Sequence, residues 1–152
     1  MSVILHLRIE QLDRQLSPLA QATPTTPASG WVGAIRKALR MPLRSLGARM
    51  DMSAEGVKRL ELREAEGTIT LKVLRKAAEA LGMRLVYALV PKQGTLQQLI
   101  EDRAMFLAKD IVLRTHQTMK LEGQAVSDER LKAAIQEKAA ELRREMPKQL
   151  WD

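Results

Sequence analysis

The chain contains no cysteine, which removes a disulfide framework, a thiolate metal site and a cysteine nucleophile together. Aromatic residues are scarce as well, at 3% of 152 residues. A core built almost without them is aliphatic, made from Leu, Ala, Ile, Val and Met, and that palette favours helix over sheet. There are only two histidines, His6 and His116, far apart and outside any metal-ligand spacing. Each reads as a solvated helix residue, and no metal or cofactor is expected. No apolar run reaches the roughly 18 residues of a membrane span. The N-terminal MSVILHLRIEQLDRQ acquires acids too early for a signal peptide, so a cytoplasmic protein is the expectation. No nucleophile–base pair or phosphate-binding glycine loop stands out, so the chain is not expected to be an enzyme.

What the chain does have is an uneven excess of positive charge. Its formal net charge is +7, and all of the excess lies toward the front: residues 1–94 hold 15 Lys and Arg against 8 Asp and Glu, whereas 95–152 hold 10 of each. Within 31–60, Arg36, Lys37, Arg40, Arg44, Arg49, Lys58 and Arg59 face only Asp51 and Glu55. A stretch this basic has the electrostatic footprint of a phosphate-binding surface; a basic surface that merely aids solubility is the competing reading.

The periodicity divides the chain into three parts. Residues 1–30 comprise a short amphipathic helix over about 4–16, with Leu5, Ile9, Leu12 and Leu16 at helical spacing, and then a Pro/Thr/Ser/Ala-rich extended linker over 17–30. A helix that short needs a surface to dock on, in its own chain or a partner's.

Residues 31–94 tighten into four short helices. The first, about 31–39, turns Trp31, Ile35 and Leu39 inward. The second starts at Pro42 and ends near Met50, with Leu43, Leu46 and Met50 inward. Asp51-Met52 makes a turn, and Ser53 caps a third helix that buries Val57 and Leu60. Gly67 marks a loop, Thr70 caps a fourth helix (Leu71, Leu74, Ala78, Leu81), and Gly82 stops it. RLVYALV, 84–90, then reads as a short strand closed by Pro91, one that must pair with the linker or another chain.

Residues 95–152 return to helix as a hairpin. Leu96, Leu99, Ile100, Leu107, Ile111 and Leu121 share a broad face over about 95–122, and Gly123 offers a stop. After a short loop, Ser127 caps a second helix bearing Leu131, Ile135, Ala139, Leu142 and Met146. The expected fold class is therefore mainly α: a helix-turn-helix domain with one short strand, an N-terminal helical arm and a C-terminal helical hairpin that needs a partner surface.

A tight turn before the third of three short helices is the arrangement that puts the third helix in the major groove of duplex DNA. Ser53, Ala54, Glu55, Gly56 and Lys58 then lie nearest the base edges, with Arg59 next, while Arg36, Arg44, Arg49 and Arg63 would neutralise phosphates. A helix-turn-helix kept only for packing or dimerisation is the alternative.

At these residues the chain resembles the XRE/Cro family, through Ser53, Val57 and Arg59-Leu60-Glu61, over roughly 31–81. It departs from that family at Arg40 and Asp51, where Gly is usual, and at Gly47, where Ala is usual. Ala54-Glu55-Gly56 also replaces a polar, often Gln-bearing start of the recognition helix.

A longer string is similar to the family named mobile mystery protein A: Leu12-Asp13, the Pro-rich linker, Gly30-Trp31-Val32, Ala34-Ile35-Arg36, Gly67-Thr68-Ile69-Thr70-Leu71, Ala77 to Leu81 and Leu85 to Pro91. That resemblance spans most of 8–125. It implies an antitoxin paired with a Fic-domain toxin, mobile mystery protein B, encoded next to it.

Inhibitors of Fic enzymes carry the helical pattern S/T-x-x-x-E-G/N, and Thr118-Met119-Lys120-Leu121-Glu122-Gly123 fits it. In that reading Glu122 forms a charge-assisted pair with the arginine that holds the ATP phosphates, so AMP is not transferred. The helix-turn-helix would then repress the chain's own operon, as a homodimer or a larger assembly with the toxin. Two alternatives stay open: an XRE-type repressor whose helical tail dimerises or senses a ligand, and an antitoxin of a toxin other than Fic.

Overall fold

The computed structural model describes residues 3–123 and 126–152. Among these residues it is all-α: α1 Val3–Gln21, α2 Trp31–Ala38, α3 Leu43–Met50, α4 Ala54–Glu66, α5 Leu71–Ala80, α6 Leu96–Leu121, α7 Asp128–Glu145, and a closing 3-10 helix Lys148–Trp151. No described helix is long and apolar enough to cross a membrane. Two compact units divide the chain, one of Met1–Ala22 with Leu89–Asp152, the other Thr23–Ala88.

In the first unit the N-terminal helix docks on the tail. Ile9 of α1 is buried in one cluster with Ile100, Ala104 and Ala108 of α6, Ala139 and Leu142 of α7, and Leu150. Alanines at the contact let helices approach closely, and the rim is filled by Leu5, Leu96, Ile111, Ile135 and Met146. The docking is also polar. The carboxylate of Asp13 accepts hydrogen bonds from the backbone N–H groups of Leu96 (2.7 Å) and Gln97 (3.1 Å), the first two of α6, whose own Thr95 takes the N–H of Gln98. An acid on one helix thus caps the N-terminus of another.

The second unit packs Val32, Leu46, Val57, Leu60, Ala77 and Leu81 at its centre. Local chemistry sets its corners as the sequence suggests. Ser53 accepts from the N–H of Gly56 (3.0 Å) and Thr70 from that of Val73 (3.2 Å). Gly67 and Gly82 adopt positive φ at the ends of α4 and α5.

Several expectations are corrected. Residues 84–90 form no strand: among the described residues the chain contains none, because no described segment supplies the backbone hydrogen-bond partners a strand needs. The first helix runs through Pro18 to Gln21, so the extended linker is shorter than 17–30. It stops where Pro24 biases Thr23 away from helical backbone. Leu12, Trp31, Leu39, Leu71, Leu99 and Leu121, expected to face inward, are exposed, since the packed stripes are narrower and rely on alanine. Leu150, given no role by periodicity, is fully buried on the closing 3-10 helix, where Arg103 donates to the backbone oxygens of Leu150 and Asp152. His6 and His116, expected as solvated helix residues, both lie on helices and are half-buried. Within the loop expected after Gly123, residues 124 and 125 lie outside the described residues.

Asp13→Ala is expected to lower stability by about 1 kcal/mol, as for loss of a helix cap. Urea denaturation followed by circular dichroism measures it; an unchanged midpoint would mean that the Asp13 cap adds nothing.

Candidate functional site

The surface expected to meet DNA is built on the turn between α3 and α4. Asp51 ends α3 in the left-handed conformation (φ 56°), and the N–H of Met52 returns to the carbonyl of Gly47 at 2.9 Å. A Cβ on Gly47 would stand 2.5 Å from the Met52 oxygen, so only glycine lets the turn fold back this tightly. Arg40, between α2 and α3, is also left-handed (φ 52°). The two positions where the XRE/Cro resemblance expects glycine therefore do adopt glycine-like backbone. Asp tolerates that conformation better than Arg does.

Val57 and Leu60 anchor α4 in the core, which turns the rest of the helix outward. Glu55, Lys58, Arg59 and Arg63 are exposed, as are Ser53 and Arg44, while Ala54 and Gly56 are half-buried. Glu55 sits in the first turn of α4, where a carboxylate stabilises the helix dipole without any partner outside the chain. Lys37, Leu43, Glu55, Lys58, Arg59 and Leu62 line a shallow groove beside the helix. Arg49 is exposed but tethered, donating to the carbonyl of Ala80 at 3.1 Å, at the C-terminus of α5.

Arg36 departs from the expectation that it contacts phosphate. It is buried, at 8% exposure. Its Nε donates to Oε1 of Glu61 at 2.5 Å, one terminal nitrogen to Oε2 at 3.1 Å, and the other to the carbonyl of Met41 at 3.0 Å. The hydrogen bond to Glu61 raises the guanidinium pKa further above its ordinary value, outweighing the opposite effect of burial. Arg36 therefore joins α2 to α4, and its charge is spent inside the domain.

One turn along α4, Glu64 accepts from the N–H groups of Trp31 and Val32, both at 2.8 Å, and so caps α2. Gly30 leaves room for it, since a Cβ there would meet the Glu64 carboxylate at 2.8 Å. The sequence reading gave Glu61 only as part of a motif and Glu64 no role at all. The spacing of an acid one turn after the motif's Glu was the available signal.

The second candidate lies at the end of α6. Thr118 is on the last turns, its hydroxyl donating to the carbonyl of Arg114 at 3.2 Å. Glu122 follows the final helical residue, Leu121, at the C-cap, with its N–H on the carbonyl of Thr118 at 3.2 Å, so the pair shares one face. The helix expected to deliver Glu122 thus ends one residue before it. Its side chain is exposed and has no hydrogen bond or ion pair among the described residues. Gly123 has φ 81°, with open space where a Cβ would be. Among the described residues, no group of three or more acids and histidines could hold a metal.

No family model, curated protein or solved structure matches the chain.

The Arg36–Glu61 pair yields a stability prediction. Glu61→Ala strands a buried guanidinium and is expected to cost about 3 kcal/mol. A loss under about 1 kcal/mol in chemical denaturation would show that water or another group replaces the partner without penalty.

Proposed function

We propose that this chain is an antitoxin of the mobile mystery protein A type, with an XRE/Cro-like helix-turn-helix formed by α3 and α4. In this reading its tail inhibits a Fic-domain AMP-transferase, and the helix-turn-helix represses the operon that encodes both, in the cytoplasm and without catalysis of its own. The observation that carries the inhibitory half is Glu122. A carboxylate at a helix C-terminus opposes the helix dipole, so it is not there to stabilise α6. It is exposed and without a partner among the described residues, as a group reserved for an arginine of another protein would be.

The DNA half rests on the capped turn at 51–53 and on the outward Lys58, Arg59 and Arg63. Base reading falls to few groups: Ala54 offers only a methyl, and Glu55 can accept only from cytosine N4. Affinity then comes mainly from phosphate contacts by Arg44, Arg63 and their neighbours, and operator choice from pairing two half-sites.

A second reading, an XRE-type repressor whose tail dimerises, is favoured by the exposed row Leu99, Phe106 and Leu113 along α6, which some partner surface would cover. The neighbouring reading frame separates the two. A Fic motif there, H-x-F-x-D/E-G-N-G-R, supports the first.

Co-expressed with that partner, Glu122→Gly is expected to restore AMP transfer that the unaltered chain suppresses. Transfer that stays suppressed removes Glu122 from the mechanism. For DNA, binding to the upstream duplex should weaken steeply with salt, and Lys58→Ala or Arg59→Ala should each cost about 1–3 kcal/mol. A flat salt dependence would exclude the DNA role.

A further inference from the structure

From Met83 to Pro91 the chain runs without helix, turn or bend. No backbone N–H or C=O of residues 84–90 is hydrogen-bonded to any described residue. The side chains are those of a strand, yet Val86 is 67%, Tyr87 62% and Leu89 87% exposed. Free ladder groups combined with exposed apolar side chains make a template for another extended segment.

We infer that two copies of this chain pair through residues 84–90 as an antiparallel two-stranded ribbon centred on Tyr87. Antiparallel pairing is the arrangement in which two identical segments satisfy each other reciprocally about a two-fold axis. The chain itself sets the limits of the ladder. On one side the N–H of Met83 is already given to the carbonyl of Ala78, after Gly82 turns the chain (φ 74°). On the other, Pro91 has no N–H to give. The midpoint of what remains is Tyr87.

That register places Arg84 opposite Val90 of the second copy, so like charges are not opposed. It also places Leu89 of the second copy opposite Leu85. Leu85 is half-buried at an apolar groove lined by Trp31, Ile35, Leu74 and Leu81. The exposed leucine is thereby brought to the groove. Tyr87 is held at the axis by Arg75, whose guanidinium lies 5.7 Å from the ring centre. Pairing shields part of Val86, Tyr87, Leu89 and Val90 on both copies, less than the roughly 1,000 Å² of a specific interface. An interface this small makes the dimer reversible, and a micromolar dissociation constant is expected.

Because the chain has no cysteine, Tyr87→Cys places a single thiol at the axis. Opposed residues of an antiparallel ladder stand about 4.5–5.5 Å apart at Cα, within the reach of a disulfide. The full-length chain is expected to sediment as a reversible dimer, and Tyr87→Cys to become a covalent dimer on oxidation. Leu113→Cys, on the exposed row of α6, is expected to stay uncross-linked. Leu89→Lys, at an exposed position, is expected to shift the chain to single-copy mass with its helical circular dichroism unchanged. A chain that remains monomeric far above micromolar concentration overturns the proposal, as does cross-linking through Leu113→Cys and not Tyr87→Cys. The DNA reading fails separately: a monomer that still binds duplex with a steep salt dependence removes only the ribbon, and a dimer that ignores DNA removes only the DNA reading.

Discussion

Two glutamates on the inner edge of α4 fix the middle of this protein. Glu61 takes the guanidinium of Arg36, and Glu64 takes the first two N–H groups of α2. Both act on the same short helix, one near each end, so α2 can neither slide nor rotate against α4 without breaking charged hydrogen bonds, those of Arg36 largely shielded from water. Such a pair contributes little net stability once desolvation is counted, but it selects one geometry, because a misplaced charge would be buried alone. The outer face of α4 is defined by that choice. With Val57, Leu60, Glu61 and Glu64 turned inward, Lys58, Arg59 and Arg63 have only solvent to face.

The same device recurs in the other unit, where Asp13 of α1 receives the first N–H groups of α6. The repetition follows from composition. With 3% aromatics, neither core has many large side chains whose shapes lock helices in register. Alanine interfaces such as Ala104, Ala108 and Ala139 allow close approach but tolerate sliding. A carboxylate across a helix N-terminus adds the direction that methyl groups lack.

How far this was legible depends on the range of each interaction. Ser53, Thr70 and Ser127 cap helices through bonds to residues three positions on, so the sequence carries the whole of each interaction; Thr95 caps in the same way and was missed. The left-handed turn at Asp51 is equally local. Partnerships across 25 to 84 residues, those of Arg36, Glu64 and Asp13, depend on packing that periodicity does not describe. That is why Arg36 reads as a surface arginine until Glu61 is found beside it. Residues 84–90 failed as a strand for a related reason: β-propensity belongs to a segment, but a strand belongs to a pair. At the tail, the Thr118–Glu122 spacing was legible, whereas the end of α6 just short of Glu122 was not, because helix ends are the least certain feature of a periodic pattern.

Counting which charges are internally committed narrows where the chain can act. Arg36, Glu61, Glu64 and Asp13 are occupied in the fold, and Arg49 is tethered to the end of α5. Glu55 is accounted for by the first turn of its own helix. What remains around the α3–α4 turn is a cationic set, Arg44, Lys58, Arg59 and Arg63, with few groups able to discriminate bases. A surface of that kind gains affinity from any phosphate backbone and gains selectivity only by being held beside a second copy at a fixed spacing. Glu122 is the opposite case: one acid, placed where the dipole of α6 disfavours it, with no described neighbour to neutralise it. A single unfavourable charge is a weak surface for general association; in the reading proposed above it suits a single buried arginine, whose bidentate geometry a carboxylate can match.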